Sequence, residues 1–178
     1  EIDELTIGEW LGDWSKLIDL VFERYARLNV ALSIDTSSEA GEKQFNQFLE
    51  EIHSPSQSAN QILKEKLLSS GFQPDGLNIP IKKMRAEAEI FSEKNLPLLV
   101  EDRKFASEYN KIIGKQSVQL KGKEYTTQQL RPIMQSSNRS QKERIWRSAS
   151  ERQLKDRQQI NELWEKQIQL RIKLAENA

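Results

Sequence analysis

From Ser140 to Ala178 the chain contains neither glycine nor proline, and this stretch constrains the fold more than any other feature. Those two residues most readily end a helix, so about 38 residues without them predict one continuous helix roughly 55–60 Å long. Ser140 with Glu143 three positions on has the reciprocal capping pattern expected at its start. Its ends are apolar at helical spacing, with Ile145, Trp146 and Ala149 near the start, then Ile160, Leu163, Trp164, Ile168, Ile172 and Ala175. Between Ser150 and Gln159 only Leu154 is apolar. Propensity alone does not hold a helix in water, so this polar middle is expected to face water, a cavity or another part of the protein.

The same periodicity runs through most of the chain. Trp14, Leu17, Ile18, Val21, Tyr25, Leu28 and Leu32 recur at three and four residues and predict a first helix from about Asp13. Thr36-Ser37-Ser38-Glu39 reads as a capping box for a second helix that buries Phe45, Phe48, Leu49 and Ile52 and ends near His53. Ser54-Pro55-Ser56-Gln57 reads as a fresh start after a very short joint, with Pro55 where its missing N–H costs nothing, and Ile62, Leu63 and Leu67 lead to a stop at Gly71. Pro80 is expected to open the next helix, Asn95-Leu96-Pro97 to interrupt it, and a further helix to run to Gly114. Val118-Gln119-Leu120 and Lys123-Glu124-Tyr125-Thr126 alternate around Lys121-Gly122 and predict a small hairpin, after which Thr126 to Gln129 caps a short helix. The fold expected is all-α, a bundle or array of about six to seven helices with one small β-hairpin at about 116–126 and a long C-terminal helix. The loop Gly71 to Ile79, with Pro74, Asp75 and Gly76, is the expected joint between subregions 1–73 and 74–178.

Length and composition bound the function. The 178 residues suit one helical domain or two small lobes. Lys+Arg 27 balance Asp+Glu 27, and the mean hydropathy is −0.72, which argues against a membrane protein and a globally basic nucleic-acid binder. The balance is uneven along the chain, with net −8 over residues 1–54 and +8 over 55–178, as two solvated faces that complement each other would give. The lack of cysteine removes thiolate metal sites and cysteine nucleophiles and carries no signature of a secreted scaffold, so a cytoplasmic location is expected. No basic segment followed by an apolar one resembles a signal peptide. The first residue is Glu1 and the last lies inside a helical pattern, so the chain reads as a piece of something longer.

Little in the chain can carry chemistry. His53, the single histidine, could share a helix face with Glu50, but two ligands do not make a metal site, and a helix-end role suits it better. No His-Glu-x-x-His, Walker loop or Gly-x-Gly-x-x-Gly occurs. Arg139 to Arg157 holds seven basic and three acidic residues around Trp146, but the basic side chains are spread round the helix rather than set on one face, so neither nucleic acid nor membrane is expected as a partner. Asn138-Arg139-Ser140 matches a glycosylation sequon, for which capping by Ser140 is the better reading. Trp10 and Trp14, one turn apart, suit core or interface anchors.

Trp10-Leu11-Gly12-Asp13-Trp14-Ser15, Asn95-Leu96-Pro97-Leu98, Tyr109 to Gly114 before the hairpin, and Arg139 with Arg144-Ile145-Trp146 opening the last helix follow one another in an order that resembles the N-terminal region of the oligoendopeptidase F and thimet-oligopeptidase group of zinc metallopeptidases. The resemblance covers nearly the whole chain, and the order of elements carries it. It implies a non-catalytic helical lobe that narrows a channel admitting short peptides. It also implies that zinc is bound outside this chain, by a His-Glu-x-x-His segment and a downstream glutamate in a catalytic domain of the same polypeptide, and that none is bound here. The polar middle of the last helix, with Arg147, Glu151, Arg152, Lys155 and Asp156, would then meet the channel or the catalytic lobe. The alternative is a free-standing helical protein–protein interaction module.

Overall fold

The computed structural model describes residues 6–73, 75–135 and 137–178, so Pro74 of the expected loop lies outside the described residues. The chain forms α1 (Ile7–Ile34), α2 (Glu39–Phe48), a π-helical turn (Leu49–His53), α3 (Ser54–Ser70), α4 (Asn78–Glu89), α5 (Asn95–Gly114), β1 (Ser117–Leu120), β2 (Lys123–Thr126), α6 (Thr127–Met134), α7 (Arg139–Lys155) and α8 (Arg157–Glu176). The class is all-α with one small antiparallel hairpin, as the periodicity predicts. Two compact units divide the chain, one of Glu1–Asp102 with Leu170–Ala178 and the other of Arg103–Gln169. The divisions fall inside α5 and α8, and the Gly71 to Ile79 loop lies within the first unit.

In the first unit, Leu28 and Leu32 of α1, Phe45 and Phe48 of α2, Leu49 and Val100 of α5 form a buried cluster, with Val21 and Tyr25 packed against it. The predicted α1 stripe therefore reaches the core through its second half, while Leu17 is half exposed. The cap of α2 is Ser38 and not Thr36. The Ser38 hydroxyl accepts from the Gly41 amide at 3.1 Å, and Asp35 draws in Ser37 through its amide and hydroxyl. The expected joint at His53 is also corrected. Helix continues from α2 into α3 through the π turn, in which the Ser54 N–H donates to the Leu49 carbonyl five residues back. Pro55 has no N–H for the carbonyl four residues before it, and the wide turn takes up the misfit without ending the helix. Gly71 ends α3 at φ 75°, the left-handed conformation expected of a helix stop.

The ammonium of Lys64, a residue only 8% exposed, donates to Glu87 at 2.8 Å across α3 and α4. Removing Glu87 strands the nearly buried ammonium, whereas an apolar side chain of similar length in place of Lys64 leaves a carboxylate that is 43% exposed and still 3.7 Å from Lys83. Glu87 is itself partly exposed, which tempers the expected cost. Glu87→Ala should therefore lower stability by about 1–2 kcal/mol, and Lys64→Met should be neutral or stabilising. Urea titration of both variants checks this.

In the second unit, β1 and β2 pair antiparallel from Ser117↔Thr126 to Leu120↔Lys123. Lys121 (φ 50°) and Gly122 (φ 77°) both take the left-handed region, as a two-residue hairpin turn that follows strand twist requires. Thr126 ends β2 and caps α6 with the predicted reciprocal bonds to Gln129. Leu130 and Ile145 are fully buried where α6 packs on α7. The cap of α7 is Asn138, whose Oδ1 accepts from the Gln141 amide at 3.0 Å, and not Ser140. Asparagine caps as well as serine, and the earlier cap lengthens the helix.

The long C-terminal stretch is helical but not continuous. Asp156 stands between α7 and α8 at φ −91° and ψ 0°, and its N–H donates to the Gln153 carbonyl three residues back. The Ile160 N–H then donates to the Asp156 carbonyl and starts the next helix. No proline or glycine causes this interruption.

Candidate functional site

The interruption falls in the polar middle of the stretch, and it gathers two of the five singled-out side chains. An Arg152 Nη donates to the Asp156 carboxylate at 2.7 Å, one turn along the helix, and the same oxygen accepts from Gln116 Nε2 at 2.9 Å. The second Nη of Arg152 reaches the Lys115 carbonyl at 3.5 Å. Lys115 and Gln116 follow the end of α5, so the cluster joins the joint between α7 and α8 to the start of the hairpin segment. Gln116 is only 1% exposed, while Arg152 and Asp156 are half-buried. Arg147, Glu151 and Lys155 are exposed at i, i+4 and i+8 on α7, and Arg147 binds Glu143 at 2.8 Å. The structure thus separates the five into an anchored pair and an exposed row of alternating charge.

The hydrogen bond from Gln116, with help from Arg152, holds the Asp156 carboxyl below the usual carboxylate range. An anion with these donors is a poor general base. A carboxyl depressed in the folded state adds stability above its unfolded value near 4, and that share is lost as pH falls through the lower folded value. Glu87, depressed chiefly by its hydrogen bond from Lys64, acts in the same direction. Stability should therefore decline below about pH 4, and Asp156→Asn should flatten the decline. Denaturant titrations across pH 2.5 to 7 measure both.

Gln116 had no legible signal, since a glutamine between a helix stop and a strand fits no motif. His53 lies in the π turn rather than free at a helix end, with its ring 5.4 Å from that of Tyr25 and 6.3 Å from that of Phe48. Among the described residues no three His, Cys, Asp or Glu side chains come together as metal ligands. The rings of Trp10 and Trp14 lie 5.2 Å apart, tilted by 56°, and the Trp14 indole N–H donates to Asn60 Oδ1 at 2.8 Å. In the first unit a groove of about 510 Å³ runs beside Leu20, Arg24, Gln47, Phe48 and Ile52. Among the described residues no helix is long and apolar enough to cross a membrane. No protein-family model matches the chain, and neither a curated protein nor a solved structure matches it.

Proposed function

We propose that the chain is the non-catalytic helical lobe of a zinc-dependent oligopeptidase that hydrolyses short peptides. The observation that carries this reading is the order of elements: helices, the Lys121-Gly122 hairpin, then a long helical stretch with a polar middle, in the sequence order of the resemblance. The exposed row Arg147, Glu151 and Lys155 supplies hydrated, charged wall for a peptide channel or for the catalytic lobe. In this reading the metal and its ligands belong to the catalytic part of the polypeptide. The test is hydrolysis of a quenched-fluorescence peptide library. The 178-residue chain should cleave nothing with or without added zinc, and the polypeptide extended past Ala178 should cleave in a chelator-sensitive way. Chelator-sensitive cleavage by the 178 residues alone, or none by the extended polypeptide, would overturn the proposal.

A second reading, a helical interaction module, is favoured by Trp146, Leu154 and Trp164, each more than half exposed along α7 and α8. Where such side chains join into one apolar patch, that patch marks a surface that meets other proteins. Light scattering and affinity capture with the purified chain test it, and a monomer that retains no specific partner counts against it.

A further inference from the structure

The sequence and the structure disagree at one point that the proposed activity does not explain. The sequence from Ser140 to Ala178 favours one helix, yet Asp156 leaves the helical path with ψ 0° where a helix has about −42°. Neither Lys155 nor Arg157 is a helix breaker, and aspartate carries only an ordinary penalty in a helix interior. What distinguishes the position is where its side chain goes. The carboxylate is held by Gln116 Nε2 from outside the helix at 2.9 Å and by Arg152 from the preceding turn at 2.7 Å, while Arg152 also reaches the Lys115 carbonyl. The interruption costs the last turn of α7 and the first of α8 part of their intrahelical hydrogen bonding. The cluster is also incomplete, because the Gln116 side-chain oxygen is buried without a donor. A half-satisfied buried amide offsets part of what its other bond contributes.

We propose that Asp156 is a latch. It holds residues 139–169 as two helical segments, and release of its carboxylate from Gln116 and Arg152 lets the joint close into one continuous helix. The two arrangements differ at a single residue, so the joint is a switch whose bias lies in three side chains of the second unit. This inference rests on that unit alone and not on the peptidase reading.

Amide hydrogen exchange of the whole chain, followed residue by residue by NMR, tests the latch. In the starting protein the amides of Arg157, Gln158 and Gln159 belong to the first turn of a helix and exchange readily. In Asp156→Ala, and in Gln116→Met, which leaves the aspartate in place, those amides should slow by about tenfold or more as they gain carbonyl partners in α7. Arg152→Ala, a change at a half-buried site, should move the same amides in the same direction. Unchanged or faster exchange at the three amides in all three variants overturns the latch. So does general loss of protection throughout α7 and α8, which would make the cluster a plain structural support.

Discussion

Leu49→Ala should cost about 2–5 kcal/mol, enough to lower the melting temperature by about 5–15 °C. Leu49 is 0% exposed and opens the π turn, in the cluster formed with Phe45, Phe48, Leu28 and Leu32. Truncation removes its transfer free energy and leaves a cavity, and two features resist collapse into that space. The Leu49 carbonyl is bound by the Ser54 N–H, which fixes the backbone, and Tyr25 and Phe45 pack ring to ring at 5.6 Å. Leu20→Ala, at a side chain 66% exposed, should stay within about 0.5 kcal/mol and serves as the control. Thermal melts of the two variants against the parent protein decide it. A Leu49→Ala melt within 2 °C of the parent would show that this cluster is not the core of the first unit.

The adjacent pair Ile145 and Trp146 gives the second large effect. Ile145 is 1% exposed and faces α6 and the hairpin, whereas Trp146 is 60% exposed. Ile145→Ala should therefore cost about 2–5 kcal/mol and Trp146→Ala, despite its larger side chain, less than about 1 kcal/mol. Chemical denaturation monitored by circular dichroism separates them. A reversed order would mean that α7 is rotated by one residue, about 100° about its axis, from the structure described.

That pair also shows what could be read before the structure. The second half of the α1 stripe, Phe45, Phe48 and Leu49, the hairpin, the Thr126 cap and the Gly71 stop depend on spacing and on local backbone chemistry and were legible, whereas Ile52, expected on the same buried face, is 50% exposed. Trp146, Trp164, Ile168 and Ile172 sit at helical spacing beside Ile145 and Leu163, yet only the last two are buried. Periodicity reports that a stripe exists, and packing partners far away in sequence decide which flank of it is covered. The π turn was illegible for a related reason. Ser54-Pro55 has the composition of a helix start, and a wide turn of five residues lets the helix pass through it unbroken. The joint at Asp156 could not be found because its cause, Gln116, lies 40 residues away. Of the five residues singled out in the polar stretch, the anchored pair owes its role to that distant contact, while the row Arg147, Glu151 and Lys155 follows from helical spacing alone.

The proposed function makes these helices a supporting lobe whose chemistry lies elsewhere in the same polypeptide. Sequencing the encoding transcript beyond the Ala178 codon tests it most directly. The expected result is an open frame of several hundred codons containing His-Glu-x-x-His and, further on, a glutamate placed to complete a zinc site. A stop codon directly after Ala178, or a long frame that lacks that segment, would contradict it.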